Sequence, residues 1–315
     1  MVMRLLPSAT LLMVLAIACE PTLDNTDSIV STSRVVAVRA DPAEAAPMAA
    51  VTYTALVVDS TGTLTVAPLD WAFCNEPKPL SELEPVSPDC LSMSGPLLQE
   101  IGDGTSVMAT IPTSACQTFG PEVAPPMMGQ PAARPVDPDS TGGYYQALRL
   151  ALVGTSPLAY TLAQSRLSCG IAGASSSQIA QFSMQYLPNT NPAIDSLAVD
   201  GAPPMTVAVG AHVTLHAAWA DCTGATASCT GSEPYVVFDL ASRSISPTRE
   251  ALQVAWFATA GSFDIDHTGR SSTDPTTFSE NGWTAPSQPG SVALWVVLRD
   301  DRGGAGWQQY TVTVQ

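Results

Sequence analysis

Residues 48–59 read MAAVTYTALVVD, and residues 210–221 read GAHVTLHAAWAD. Laid on each other, they coincide at Ala49/Ala211, Val51/Val213, Thr52/Thr214, Ala55/Ala217 and Asp59/Asp221. Both are short runs rich in Val, Thr and aromatics, the composition of a β-strand. Each follows a short apolar strand, RVVAV at 34–38 or DSLAV at 195–199, and a proline-containing turn. Each also precedes an apolar strand that carries a tryptophan, Trp71 in one half and Trp256 in the other. Repetition of a whole order of elements predicts duplication of one domain.

Working outward, the same strand signal recurs at Leu69–Phe73, Ser106–Ile111, Tyr144–Val153, Val207–Val209, Val213–Trp219, Val254–Phe257, Val292–Leu298 and Tyr310–Val314. The 27 prolines and 22 glycines supply the turns between them. Only Ser156–Ser168 and Ala174–Phe182 have any helical character. The expected fold is all-β: two tandem Ig-like β-sandwich domains, at 34–187 and 194–315. A linker at 188–193, overlapping LPNTNP at 187–192, separates them. The Pro-rich stretch 121–143 reads as an insertion in the first domain, too long for an ordinary turn.

The N-terminus begins with one charge, Arg4, then an apolar run from Leu5 to Ala18. A bilayer span needs about 20 apolar residues, so this run reads as a signal peptide over 1–18. It ends Ala16-Ile17-Ala18-Cys19, which resembles the lipobox of bacterial lipoproteins, although the usual leucine three places before the cysteine is Ala16. That resemblance implies lipid on Cys19 and a membrane partner through that lipid. An ordinary secretory signal is the alternative. Residues 20–33 are polar and lack periodicity, so 19–33 is expected to be a lipidated cysteine with a disordered tether. Glu20, which is not Asp, favours the outer membrane under the sorting rule of enteric bacteria, with the periplasmic or surface face unresolved.

Beside Cys19 stand Cys74, Cys90, Cys116, Cys169, Cys222 and Cys229. An even set in an exported chain reads as disulfides, with 15 connectivities open. Nearest-neighbour pairing gives 74–90, 116–169 and 222–229. Zinc is the competing use, but no finger spacing exists. The formal net charge of −16 argues against nucleic acid and against anionic lipid as partners. The three histidines, the lack of a G-x-S-x-G elbow and the lack of a phosphate loop give neither a nucleophile nor a cofactor site. No catalytic residue and no cofactor are expected.

Three candidates remain for a site. His212 and His216 share one face of an alternating strand, which is a solvated face more readily than a metal pair. Asp264, Asp266, Asp300 and Asp301 are candidate Ca2+ ligands, although Asp-Asp-x-Gly-Gly at 300–304 is also good turn chemistry. Trp283, beside Gly282 and a proline turn, is the tryptophan expected to be exposed as a ligand contact. Trp295 and Trp307 are expected in the core.

RVVAVRADPAEAAP at 34–47, WAFC at 71–74 and NGWTAPSQPGSVALWVVLRDDRGG at 281–304 resemble envelope lipoproteins of high-GC Gram-negative bacteria. The W-x-A-P-x-x-x-G strand and D-x-x-G-G turn are similar to Ig-like and PKD-like modules. The resemblance implies a sandwich fold and a surface role, and no catalytic residue. The antibody Cys…Trp…Cys spacing is absent. The expected function is therefore a non-enzymatic envelope lipoprotein that presents Ig-like domains to a protein or glycan, or acts as a spacer. The alternatives are a carbohydrate-binding or carbohydrate-active envelope protein, and an accessory subunit of an export or assembly machine that accepts a partner strand at an open sheet edge.

Overall fold

The computed structural model describes residues 27–77, 86–121, 143–203, 206–239 and 241–315. The leader, Cys19, most of the tether and most of the 121–143 insertion lie outside the described residues. Strand makes up 49% of the chain and helix 7%, which defines an all-β protein.

The first half contains β1 (Arg34–Asp41), β2 (Glu44–Ala45), β3 (Ala50–Asp59), β4 (Gly62–Thr63), β5 (Leu69–Cys74), β6 (Leu98–Asp103), β7 (Ser106–Thr110), the short helix α1 (Ala115–Thr118), β8 (Tyr144–Leu152), β9 (Ala159–Leu167) and helix α2 (Ser176–Gln185). The second half contains β10 (Ser196–Val199), β11 (Thr206–Val207), β12 (His212–Ala218), β13 (Pro234–Asp239), β14 (Ser244–Arg249), β15 (Leu252–Ala258), β16 (Ser262–Phe263), β17 (His267–Arg270), β18 (Phe278–Thr284), β19 (Gly290–Asp300) and β20 (Ala305–Val314).

The two halves share a core topology, to which β4 (on β3), β16 (on β18) and the β13–β14 hairpin are additions. In the first, β1–β3–β7 form one sheet and β2–β9–β8–β5–β6 the other. In the second, β10–β12–β18 and β11–β20–β19–β15–β17 repeat that order. Both halves send a two-residue strand across to pair in parallel with the last long strand, β2 with β9 and β11 with β20. The aligned segments are β3 and β12, and Trp71 and Trp256 sit on the equivalent strands β5 and β15. Each indole N–H donates within its own half, Trp71 to the Gly104 carbonyl at 2.7 Å and Trp256 to Thr268 Oγ1 at 2.9 Å.

Alternation explains each core. Val51, Tyr53, Ala55 and Val57 of β3 face Leu69, Trp71 and Phe73 of β5 and Leu148, Leu150 and Leu152 of β8. In the second half Val213, Leu215 and Ala217 of β12 pack with Val254, Trp256, Leu294, Val296, Leu298 and Trp283. The opposite faces are also apolar. Val36 and Ala37 of β1 and Leu56 and Val58 of β3 bury against Ala255 of β15 and Trp295 and Val297 of β19. The two sandwiches are therefore stacked into four layers, with a third apolar core between them. A strand buried on both faces reads as an unbroken apolar run, which is why Ala55–Val58 and Val292–Leu298 lack polar alternation. Trp295 belongs to this middle core, and its indole N–H reaches across to Thr63 Oγ1 at 2.8 Å. Trp307 is half-buried in the same layer beneath the Arg39 guanidinium.

Three disulfides close the expected pairs, Cys74–Cys90, Cys116–Cys169 and Cys222–Cys229. They place the chain in an oxidising, extracytoplasmic setting. Among the described residues no helix is long and apolar enough to cross a membrane.

Several expectations are corrected. The tether does not extend to residue 33. Val30 is fully buried, Ile29 bridges Ala258, and the Ser28 carbonyl accepts from the Ala258 amide at 2.9 Å, because Ile29-Val30 supplies an apolar hook amid polar residues. Ser156–Ser168 is not helical: β9 pairs with β8 along its whole length, and that ladder overrides a weak local preference. The other segment does fold as helix α2. Ser175 starts it with a capping box to Gln178, and the chain turns extended at Tyr186, two residues before Pro188. The 188–193 segment is not a free linker, because its polar groups are hydrogen-bonded to both halves.

Trp283 is the clearest correction. It is fully buried, on β18, within the core of the second sandwich, and its indole donates to the Ala260 carbonyl at 3.3 Å. Gly282 lies inside β18 opposite Thr214, and alternation along that strand turns the ring inward. Trp283→Ala is expected to destabilise the protein by about 3–5 kcal/mol. A denaturant titration measures this, and an unmoved midpoint would mean the ring is not core.

Candidate functional site

The chain Asp300-Asp301-Arg302-Gly303-Gly304 turns β19 into β20. Asp300 Oδ1 accepts the backbone N–H of Arg302 at 2.9 Å and of Gly304 at 2.7 Å, so the turn reading of this motif holds. Gly304 is required here, since a Cβ would lie 2.1 Å from Asp300 Oδ2. The turn aims Arg302 into the seam between the sandwiches, where its side chain is fully buried.

Buried charge must be paired and hydrogen-bonded, and every element near the seam contributes. Arg302 Nη1 donates to Glu250 Oε1 at 3.1 Å and lies 3.8 Å from Glu233 Oε2. Its Nη2 donates to the Leu187 carbonyl at 2.6 Å, to the Tyr186 hydroxyl at 3.0 Å and to Glu44 Oε2 at 3.4 Å. The Tyr235 ring covers the guanidinium at 4.5 Å. A second buried cation comes from the first half. Arg166 Nε lies 3.3 Å from Glu44 Oε2 and donates to the Tyr186 hydroxyl, and its Nη1 donates to the Tyr145 hydroxyl at 2.9 Å. Gly143 leaves room for it, since a Cβ there would meet Arg166 Nη1 at 2.3 Å.

The segment expected to be a linker threads through this cluster. The Asn189 amide donates to Glu44 Oε2 at 3.0 Å and the Thr190 amide to Glu233 Oε2 at 2.9 Å. Asn191 bridges the halves, donating from Nδ2 to the Ala40 carbonyl at 2.7 Å and accepting the Ala305 amide at 3.0 Å. The Cys222–Cys229 loop is tied in as well, the Cys229 amide donating to Glu233 Oε1 at 2.7 Å. Outside the cluster, α2 holds the β13–β14 hairpin: Gln178 Nε2 donates to the Arg243 carbonyl at 2.6 Å and Arg243 Nη2 to the Gly173 carbonyl at 2.9 Å.

Burial, then the neighbouring charge of Asp300, pushes Glu250 up to about 9. Burial pushes Asp300 up to about 6 against the pull of the amides that donate to it. Burial by itself lowers Arg302, but Tyr186 and Glu250 hold it above its ordinary value. At neutral pH Glu250 therefore keeps its proton beside Arg302.

The other candidates separate in space. His212 lies 3.1 Å from Asp264 Oδ1, and His216 Nδ1 lies 3.0 Å from Glu280 Oε1, on the exposed side of β12 and β18. Asp266 accepts from Ser28 Oγ at 2.6 Å. Asp300 is buried in the seam, and the exposed Asp301 donates its amide to the Ala251 carbonyl. No three metal-ligating side chains are grouped among the described residues, so the candidate Ca2+ set is not assembled. The seam cluster itself was not foreseen. Its members are spread from residue 44 to 302, and an isolated Glu or Arg carries no periodic signal.

A groove of about 260 Å³ opens beside the cluster, lined by Val35–Val38 of β1, Thr161–Gln164 of β9 and Arg299–Asp300 with Gly303–Ala305 of the β19–β20 turn.

Neither a known protein family nor a characterised sequence matches the chain. Among solved structures it is similar to dimeric latent PorU of Porphyromonas gingivalis (12% identity, TM-score 0.23, 91% of this chain and 24% of that one). It is also similar to the Yersinia pseudotuberculosis adhesin InvE (11%, TM-score 0.24, 92% and 61%) and to red sea bream transglutaminase (10%, TM-score 0.24, 91% and 32%). The chain spans less than two thirds of each, and similarity at this level transfers no function.

Two outcomes are expected of the seam. Arg302→Ala leaves Glu44 and Glu233 short of a counter-charge and costs about 3–5 kcal/mol, read by denaturant unfolding. The raised Glu250 gives a distinctive pH profile. Below its ordinary value of 4.5 it is protonated folded and unfolded alike, and its contribution is fully present. Above 4.5 the unfolded state loses the proton first, so stability falls as pH rises toward about 9. Asp300 adds a fall in the same direction through about 6. Asp59, Asp221, Asp239 and Asp274 are held low by hydrogen bonds from nearby threonines or backbone amides, and they oppose this only in more acid solution. Thermal unfolding from pH 4 to 9 should show a declining Tm, flattened in Glu250→Gln. An equal slope in both proteins would refute the assignment.

Proposed function

We propose that the protein is a non-enzymatic, lipid-anchored envelope protein that holds two Ig-like sandwiches as one rigid body for binding a partner. The observation that carries this reading is the seam. An apolar core and a fully enclosed ion cluster join the halves, and the intervening segment 188–193 is hydrogen-bonded into both. A string of independent spacers needs none of this. Glu44, Glu233 and Glu250 are each paired with a guanidinium of the seam, an arrangement that suits a fastener better than a catalytic cleft.

The anchor rests on the sequence, where Ala-Ile-Ala-Cys closes a short apolar leader at Cys19. The three disulfides support the export that such a leader implies. Outer-membrane placement belongs to the same proposal. A glycan-binding role loses its best aromatic contact with the burial of Trp283, so a protein partner is the preferred reading.

Cys19→Ala should abolish incorporation of labelled fatty acid and release the folded protein from the membrane fraction. Membrane retention of the variant at the wild-type level would sink the anchor.

A further inference from the structure

The groove beside the seam has a character that the rest of the junction lacks. Two of its walls are strand edges. β1 pairs only with β3, and β9 is covered on its far side by β2 only at Arg166 and Leu167. Along Thr161–Ala163 the outer edge of β9 is therefore paired with no strand among the described residues, and β1 forms the facing wall of the groove. An edge of this kind offers amides and carbonyls to an incoming strand.

The third wall supplies charge. Arg299 makes one hydrogen bond, from Nη2 to the Val36 carbonyl at 2.5 Å, where β1 bulges. Burial pushes its pKa down, and no carboxylate offsets that. Arg166 and Arg302, in the seam, each have acidic partners; among the described residues Arg299 has none. A guanidinium carries five donors in a fork suited to a carboxylate, and a charge-assisted pair in a half-buried site is about twice as strong as a neutral bond. Beside it, Asp300 is more than nine-tenths buried and its Oδ2 has no hydrogen-bond partner. The remaining lining is apolar: Val35, Val38, Leu162 and Ala163.

At about 260 Å³ the groove is smaller than the cavities that enclose compact small molecules, roughly 300–1,000 Å³. A short extended segment whose ends run out into solvent fits it better. We propose that the groove binds an extended peptide from a partner protein, which adds a strand to the β9 edge and places a carboxylate on Arg299. This deepens the reading of the protein as a binding module and is independent of the lipid anchor.

The test is selection from a random phage-displayed octapeptide library on the full chain held in detergent. Enriched peptides should combine β-branched residues with an Asp or Glu. Synthetic copies should bind Arg299→Gln about tenfold or more weakly. Thr161→Glu, a half-exposed lining position, should weaken them likewise through charge repulsion, with near-UV circular dichroism confirming that both variants fold. Asp264→Asn, on another face, should bind as wild type. The proposal is overturned if no peptide is enriched, if the peptides carry no acid, or if both groove variants bind normally. It is also overturned if the groove is occupied by a second copy of this chain, seen as a dimer that Arg299→Gln dissolves. None of these outcomes bears on fatty-acid labelling of Cys19.

Discussion

The burial of Arg302 is the constraint on which the arrangement of the two halves depends. A guanidinium removed from water needs carboxylates and carbonyls around it, and a single sandwich edge cannot supply them all. Glu44 and the Leu187 carbonyl come from the first half, and Glu250 and Glu233 from the second. Satisfying this one cation fixes where the last strand of one sandwich meets the second strand of the other. The same demand draws in Asn189 and Thr190, the 222–229 disulfide loop and the hydroxyl of Tyr186. A cluster of this kind contributes geometric specificity more surely than net stability, because each charge pays a desolvation cost. The net stabilisation of the junction comes from the apolar layer of Val36, Leu56, Val58, Trp295 and Val297.

The fold class was legible because β-strands announce themselves locally. The matched stretches at 48–59 and 210–221 occupy the same place in both sandwiches, and Trp71 and Trp256 mark the same strand. The disulfides were legible from sequence proximity. What failed was anything that depends on which side of a strand is covered. Trp283 reads as exposed because it stands beside Gly282 and a proline turn, yet register with Val213 turns it inward. The helical reading of 156–168 failed because a nine-residue ladder with β8 outweighs weak propensity.

The stacking of the halves left a trace in the sequence that is easy to pass over. A strand with one wet face alternates; Val292–Leu298 and Ala55–Val58 do not. In an exported chain with antiparallel sheets, such runs mark strands covered on both sides, and two of them in equivalent halves point to each other. The charged seam left no such trace. Glu44, Glu233, Glu250 and Arg302 sit in unrelated local contexts, and only the topology collects them.

The docking of residues 28–30 on β15 sets the length of the leash. With lipid on Cys19, only eight residue steps separate the membrane surface from Asp27, a reach of at most about 29 Å for a fully extended chain. Under the proposed lipidation of Cys19, such a leash would hold the body close to the bilayer, not on a long stalk. Because residues 28–30 fasten to the second sandwich, that domain would be the one kept within the leash's radius.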